Sequence, residues 1–239
     1  MGPGLEGAVD WSFAYGRASA TLTDGNTTAG GADNYWGNLT MFPRRLEARL
    51  SPIKWMDLGG QLGWLDGGAD VRVGLPALEG SPLALDLSAG FIAGGAGLFQ
   101  DTKAQSSRWL RLEAYPRLRG PAPDIFLVLA LGLNAGDFYH QVPDPRPDTD
   151  PGDANWGGGS IGFYRHETRL ETSAGMFLTG HTGGRFAGSV LVTVSPYFVL
   201  DAGPPVASPA CTDCPTDIAS YRHSWGVVVV SRFAFHLAF

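Results

Sequence analysis

Apolar residues alternate with small or polar ones along most of this chain, the period of two that puts successive side chains on opposite faces of a β-strand. Val9, Trp11, Phe13 and Tyr15 alternate with Asp10, Ser12, Ala14 and Gly16. Leu46, Ala48 and Leu50 are interleaved with Arg45, Glu47 and Arg49, and Met56, Leu58, Gly60, Leu62 and Trp64 with Asp57, Gly59, Gln61 and Gly63. The same reading applies around Val71 and Val73, from Leu83 to Phe91, from Leu110 to Ala114, and from Ile125 to Leu133. No amphipathic helix interrupts the series, so the chain reads as all-β.

The second face of each strand separates a membrane barrel from a soluble sandwich. A sandwich turns its apolar face inward and needs an outward face rich in charged and polar side chains. Here the second face is mostly Gly, Ala and Ser with isolated Arg, Asp and Glu of both signs. That suits a crowded lumen, where small residues make room and opposite charges pair. Composition agrees: there are 34 glycines in 239 residues, and charged residues make up only 17%, against a usual ~25%. The longest apolar stretch, Ile125 to Leu133, is too short for the ~20 residues of a transmembrane helix but close to the ~9–11 of a tilted strand. The net charge of -6 argues against a nucleic-acid partner, which requires a basic surface.

Connections alternate in length, with the short Asp66-Gly67-Gly68 link on the long-loop side as the exception. Ser51 to Lys54, Glu79 to Pro82 and Arg119 to Pro123 are short Pro-containing turns, while Asp24 to Asn34, Gln100 to Ser107, Tyr139 to Trp156 and Gly203 to Ser220 are longer polar segments. Short turns at one end and long loops at the other are the arrangement of a transmembrane antiparallel up-and-down β-barrel. Residues 160–178, 185–200 and 221–239 complete a count of about ten strands, with eight or twelve as alternatives. No domain boundary is visible, so 1–239 reads as one barrel, and 203–220 as an exterior loop. The opening Met-Gly-Pro-Gly lacks the features of a signal peptide and reads as an expression start on a mature chain whose signal peptide has been removed.

The last strand is the sharpest feature. Trp225, Val227, Val229, Ser231, Phe233, Phe235, Leu237 and Phe239 share one parity, whereas Arg232 and His236 lie on the other. This ending resembles the C-terminal signature of bacterial outer-membrane β-barrels, alternating aromatic or apolar residues that close on Phe. The resemblance implies that Phe233, Phe235, Leu237 and Phe239 act as the assembly signal read by the barrel-assembly machinery. It also implies a Gram-negative outer membrane with both termini in the periplasm, lipids as the surrounding partner and envelope proteins as further partners. Trp11, Trp36, Trp55, Trp64, Trp109 and Trp225 are candidates for the interfacial girdles, although the parity of Trp109 points inward.

Parity places Arg45, Glu47, Arg49, Arg72, Asp86, Arg111, Glu113, Glu171, Arg232 and His236 in the lumen, where charges must pair or be hydrated. A ten-stranded barrel lies between filled eight-stranded barrels and open porins, so these groups form either a plug or the lining of a narrow pore. Cys211 and Cys214 form a C-x-x-C that reads as a small loop disulfide in an oxidising compartment. Asp144, Asp148, Asp150 and Asp153 cluster in a Pro-rich loop. They are candidate Ca²⁺ ligands without the spacing of a twelve-residue calcium loop, and a solvated exterior loop is the simpler reading. No cofactor is indicated.

His166 and Thr168 point the same way on a strand, so an imidazole can activate the hydroxyl, and their parity is that of the lipid face. The pair is distantly similar to outer-membrane phospholipase A and the lipid A deacylases, whose His-x-Ser pairs face the bilayer. Here Thr stands in place of Ser, and Arg169 in place of the Asn that follows. The leading functional reading is a non-enzymatic barrel serving as a narrow pore or as the anchor of an envelope assembly. A lipid-directed hydrolase is the alternative, and a soluble β-barrel or sandwich binder the third.

Overall fold

The structure is a computed structural model. It describes residues 4–24, 27–39, 45–53, 55–63, 66–75, 83–94, 106–118, 124–143, 160–181, 186–207 and 218–238, with only the backbone described for 10–39. Eleven strands follow one another: β1 (Gly4–Asp24), β2 (Thr27–Leu39), β3 (Arg45–Ile53), β4 (Met56–Gly63), β5 (Asp66–Gly74), β6 (Leu83–Gly94), β7 (Ser106–Leu118), β8 (Asp124–Pro143), β9 (Ser160–His181), β10 (Phe186–Ala207) and β11 (Ile218–Ala238).

Neighbours in sequence pair antiparallel, and β11 returns to pair with β1, which closes the sheet. Two strands share one wall position. The first half of β1 pairs with β3 (Gly4 with Ser51 to Asp10 with Arg45), and its second half pairs with β2 (Phe13 with Leu39 to Asp24 with Thr27). The closed wall therefore has ten strand positions.

Register fixes the shape. One row of paired residues starts at Leu5 and passes through Leu50, Leu58, Val71, Ala89, Leu110, Leu133, Leu170, Phe198 and Trp225 before it meets β1 again at Arg17. The row has climbed 12 residues along β1 in one circuit, the stagger of strands tilted about 40° to the axis. Every residue in it before the return is apolar, and the row lies on the outer surface. Leu46, Leu58, Leu62, Phe91, Leu110, Leu129, Leu131, Leu133, Val192, Phe233 and Phe235 are likewise exposed on the outside. Each such side chain left in water forgoes about 1.5–3 kcal/mol, so the solvent of this jacket is hydrocarbon. Closure leaves the membrane part of the wall with no free strand edge, the condition for a sheet to cross a bilayer.

A closed up-and-down barrel jacketed in this way is an integral protein of the bacterial outer membrane. Gly4 pairs with Ala238 at the end that carries the short connections 54–55, 119–123 and 182–185, so both ends of the described chain face the periplasm. Trp55 is exposed at this end, and Trp225 lies on the outer row at the opposite end. Trp109 turns into the lumen, where its ring lies over Gly90 so closely that a Cβ there has no room.

The wall is uneven in height. Strands β3, β4 and β5 have 9, 8 and 9 residues, whereas β1, β8, β9, β10 and β11 have 20 to 22. Only ~9–11 residues are needed to cross the bilayer. The long strands therefore rise on the order of 25 Å above the exterior rim, at a rise of 3.3 Å per residue and a 40° tilt. In this extension the sheet order is β2-β1-β11-β10-β9-β8, and it curls until β2 approaches β8 across the gap above the short strands. Three segments read from sequence as long loops are thereby shortened, and the first five residues of 139–156 belong to β8. The segment 24–34 is mostly a hairpin of β1 and β2, and 203–220 is partly β10 and β11. Polarity marks all three as outside the membrane, but it does not tell a solvated strand from a solvated loop.

Candidate functional site

The inward faces carry a ladder of ion pairs. At the periplasmic end, Arg232 on β11 bridges Glu6 on β1 and Glu47 on β3, at 2.5 and 2.8 Å. His236 joins the same group, its Nδ1 3.0 Å from Glu6 and its Nε2 3.0 Å from the Ser189 hydroxyl. Arg49 on β3 donates twice to Asp70 on β5, at 2.8 and 3.1 Å. The bare Gly59 between them leaves the space that both side chains occupy.

A further chain of charges crosses β5, β7 and β9. Arg72 lies 3.4 Å from Glu113, and Glu113 also accepts a hydrogen bond from the Tyr115 hydroxyl. Arg111 stands 3.8 Å from Glu113 and 3.0 Å from Glu171, which also accepts from Asn134 at 2.8 Å. Asp86 lies over Gly74 near the periplasmic end, without an ion pair within 4 Å among the described residues. The Arg45 side chain lies outside the described residues, although its backbone pairs with Asp10 and Gly63.

Among the described residues, the most enclosed part of the lumen is at the exterior end. Glu167 on β9 is fully enclosed. Arg169 Nε donates to its Oε2 at 2.8 Å, Arg169 Nη2 is also 2.8 Å away, and Arg165 Nη1 and His140 Nε2 lie 3.7 and 3.0 Å from Oε1. The Arg169 guanidinium is sandwiched between Phe138, 3.4 Å from the ring centroid, and Tyr197 at 4.4 Å. Such cation–π contacts reach about 2 kcal/mol when desolvated. Tyr197 packs over Gly226, where any Cβ would collide with its ring. Its hydroxyl is 3.0 Å from His223 Nε2, and the two rings stack at 5.7 Å and 9°. His140 lies against Phe163 at 5.6 Å and against His223 at 5.0 Å.

The strand neighbours of Gly136 and Glu167, Asp137 and His166, are exposed and polar on the outer face, so this level stands above the apolar jacket. Burial there works against the charge on Glu167, yet His140 and Arg169 outweigh it and hold the carboxyl at about 2. Burial, reinforced by the neighbouring Arg169 and Arg165 guanidiniums, lowers His223 to about 3. Burial also lowers His140, despite the Glu167 carboxylate beside it. At neutral pH the group is thus one carboxylate, two guanidiniums and two neutral imidazoles.

Sequence reading did not place Glu6, Asp70, His140, Arg165, Glu167, Arg169, Tyr197 or His223 in the lumen. The signal for several was present. Asp70 shares the parity of Arg72, and Arg165, Glu167 and Arg169 share that of Glu171. Parity does not say which of them meet.

His166 and Thr168 both face outward. Asp137, directly opposite His166 in register, holds the imidazole Nδ1 at 2.9 Å. No hydrogen bond joins His166 to Thr168 among the described residues. Asp144, Asp148, Asp150 and Asp153 lie in 144–159, outside the described residues, and so does Phe239. Phe233 and Phe235 stand outward on β11, with Leu237 two residues beyond. The disulfide expected from Cys211 and Cys214 is corrected: no disulfide is present among the described residues, and 208–217 lies outside them. A C-x-x-C spacing alone does not bring two Cβ atoms to the ~3.8 Å that a bridge requires.

No protein-family model matches the chain, and no curated protein matches it. Among solved structures, the translocator domain of autotransporter NalP from Neisseria meningitidis is similar over 100% of this chain and 90% of that one, at 12% identity and a TM-score of 0.33. That likeness is too loose to add to the barrel described above.

Proposed function

We propose that this protein is a sealed, non-catalytic outer-membrane barrel whose role is to anchor and display its exterior extension, rather than an open pore. One observation carries the reading: Phe163 and Glu167 are 0% exposed and Tyr197 2%, although all three point into the barrel. A water-filled channel would leave its lining wet. Here an aromatic and ionic layer supplied by β8, β9, β10 and β11 fills the exterior end. The ion pairs below it cross from strand to strand as cross-braces. The extension then gives the anchor a rigid platform outside the membrane, where an envelope partner can dock. The outward Phe233, Phe235 and Leu237 support recognition of the terminal strand by the assembly machinery.

Planar-bilayer recording tests the seal. Wild-type protein reconstituted at neutral pH gives no steady conductance, whereas the double substitution Phe163→Ala with Tyr197→Ala gives one. Steady ohmic conductance in the wild type would refute the sealed reading and restore the narrow pore.

A further inference from the structure

Arg108 is set apart from the other arginines whose side chains are described. Arg49, Arg72, Arg111, Arg165, Arg169 and Arg232 all face the lumen and hold carboxylates there. Arg108 faces outward, exposed, on the same surface as Leu110 and Leu112 of its own strand. It has neither an ion pair nor a hydrogen bond among the described residues. In register it stands between Phe91 on β6 and Ala135 on β8, and the next residue in that row is Thr168 on β9. Phe91 is one of the large apolar side chains of the jacket.

Its height matters as much as its direction. Arg108 lies two residues from the exterior end of β7 and one outward position above Leu110. This is where the apolar jacket gives way to the exposed Asp137 and His166 on the neighbouring strands. An arginine here lays its aliphatic stem along the jacket and lifts its guanidinium into the headgroup layer. A guanidinium without a protein partner at that depth is left to the anion the membrane offers there. Its planar fork matches a phosphate through two parallel hydrogen bonds. Ala135 next to it has almost no side chain, so the wall is low between Arg108 and Thr168. Strands are about 4.8 Å apart, which lets one phosphate resting over Ala135 reach the guanidinium on one side and the Thr168 hydroxyl on the other.

We propose that Arg108, with Thr168 across the low wall at Ala135, seats the phosphate of an anionic lipid in the exterior leaflet. The site rests on the membrane reading of the fold but not on whether the lumen is sealed.

The test uses the whole protein in nanodiscs that contain phosphatidylcholine with a minor fraction of phosphatidic acid, followed by native mass spectrometry of the retained lipid. Wild-type protein retains phosphatidic acid in excess of its share. Arg108→Gln lowers that excess about threefold, the scale of one exposed charge pair, while Arg108→Lys keeps part of it. Millimolar inorganic phosphate leaves the excess intact, because a free ion lacks the acyl chains that hold the headgroup at this depth. Equal retention by wild type and Arg108→Gln overturns the proposal, and so does full displacement by inorganic phosphate. A heat-modifiable gel shift in each variant shows that the barrel is intact. If the shift is absent in wild type, the membrane reading itself fails.

Discussion

Replacing Glu167 by Gln is the most direct probe of the buried exterior layer, because it preserves shape and removes only charge. In the native arrangement the carboxylate takes Arg169 through Nε and Nη2, each at 2.8 Å, and has Arg165 at 3.7 Å and His140 at 3.0 Å. The glutamine leaves two guanidiniums in an enclosed layer without an anion between them. Breaking a buried pair by removing one partner costs about 3–5 kcal/mol, and a unit charge pair at 4 Å with an effective dielectric of 20 is worth about 4 kcal/mol. Both routes lead to about 4 kcal/mol, a factor of roughly a thousand in the folding equilibrium. The assay is urea-induced unfolding from lipid vesicles, followed by tryptophan fluorescence and by the heat-modifiable gel band. Adding Arg169→Gln to Glu167→Gln removes one of the stranded charges. The double variant is therefore less destabilised than the two single effects added together, the mark of direct coupling. A loss below about 1 kcal/mol for Glu167→Gln, the range of a solvated surface pair, would refute the reasoning, since the layer would then be wet.

Acid weakens the exterior layer, and the sign follows from its groups. Burial and neighbouring positive charge hold His223 at about 3, and burial lowers His140, so below the ordinary histidine value near 6.5 the unfolded chain binds protons that the folded one refuses. Stability therefore falls as pH drops through 6.5 toward 3. The Glu167 carboxylate, held at about 2 against the opposing effect of burial, adds a loss of its own between about 4.5 and 2. Urea midpoints measured from pH 7.5 to 4 should decline, and His223→Phe should flatten the slope, whereas an unchanged slope would show that His223 is hydrated. On the outer wall, Leu131→Arg places a charge in the apolar jacket of β8 and should cost about 2–4 kcal/mol in vesicles, as for cations near the bilayer midplane. A loss near zero would mean that this face is not in lipid.

Much of the barrel was legible from alternation, because strand parity is a local property of the backbone. Leu110 and Leu112 face away from Arg111 and Glu113 whatever the rest of the chain does. The glycines paired with large side chains carried information too, but only the pairing shows that Gly90 accommodates Trp109 and Gly226 accommodates Tyr197. Strand ends were least legible above the membrane. There the lipid no longer demands an apolar face, so residues 203–207 and 218–220 read as a polar connection although they continue β10 and β11. The division of one wall position between β2 and β3 had no signal in the pattern.

Sequence alone determined the fold class, the direction most strand residues face and many of the charges that share the lumen. It could do so because a period of two needs no knowledge of neighbours. The tertiary structure decided who meets whom. Arg111 finds Glu171 60 residues away, and Arg232 finds Glu6 226 residues away, because closure with a stagger of 12 residues slides particular rungs to the same level. Register is a non-local quantity. It turned a set of inward charges into a braced ladder, and it gathered His140, Glu167, Tyr197 and His223 from four strands into one buried layer at the exterior end.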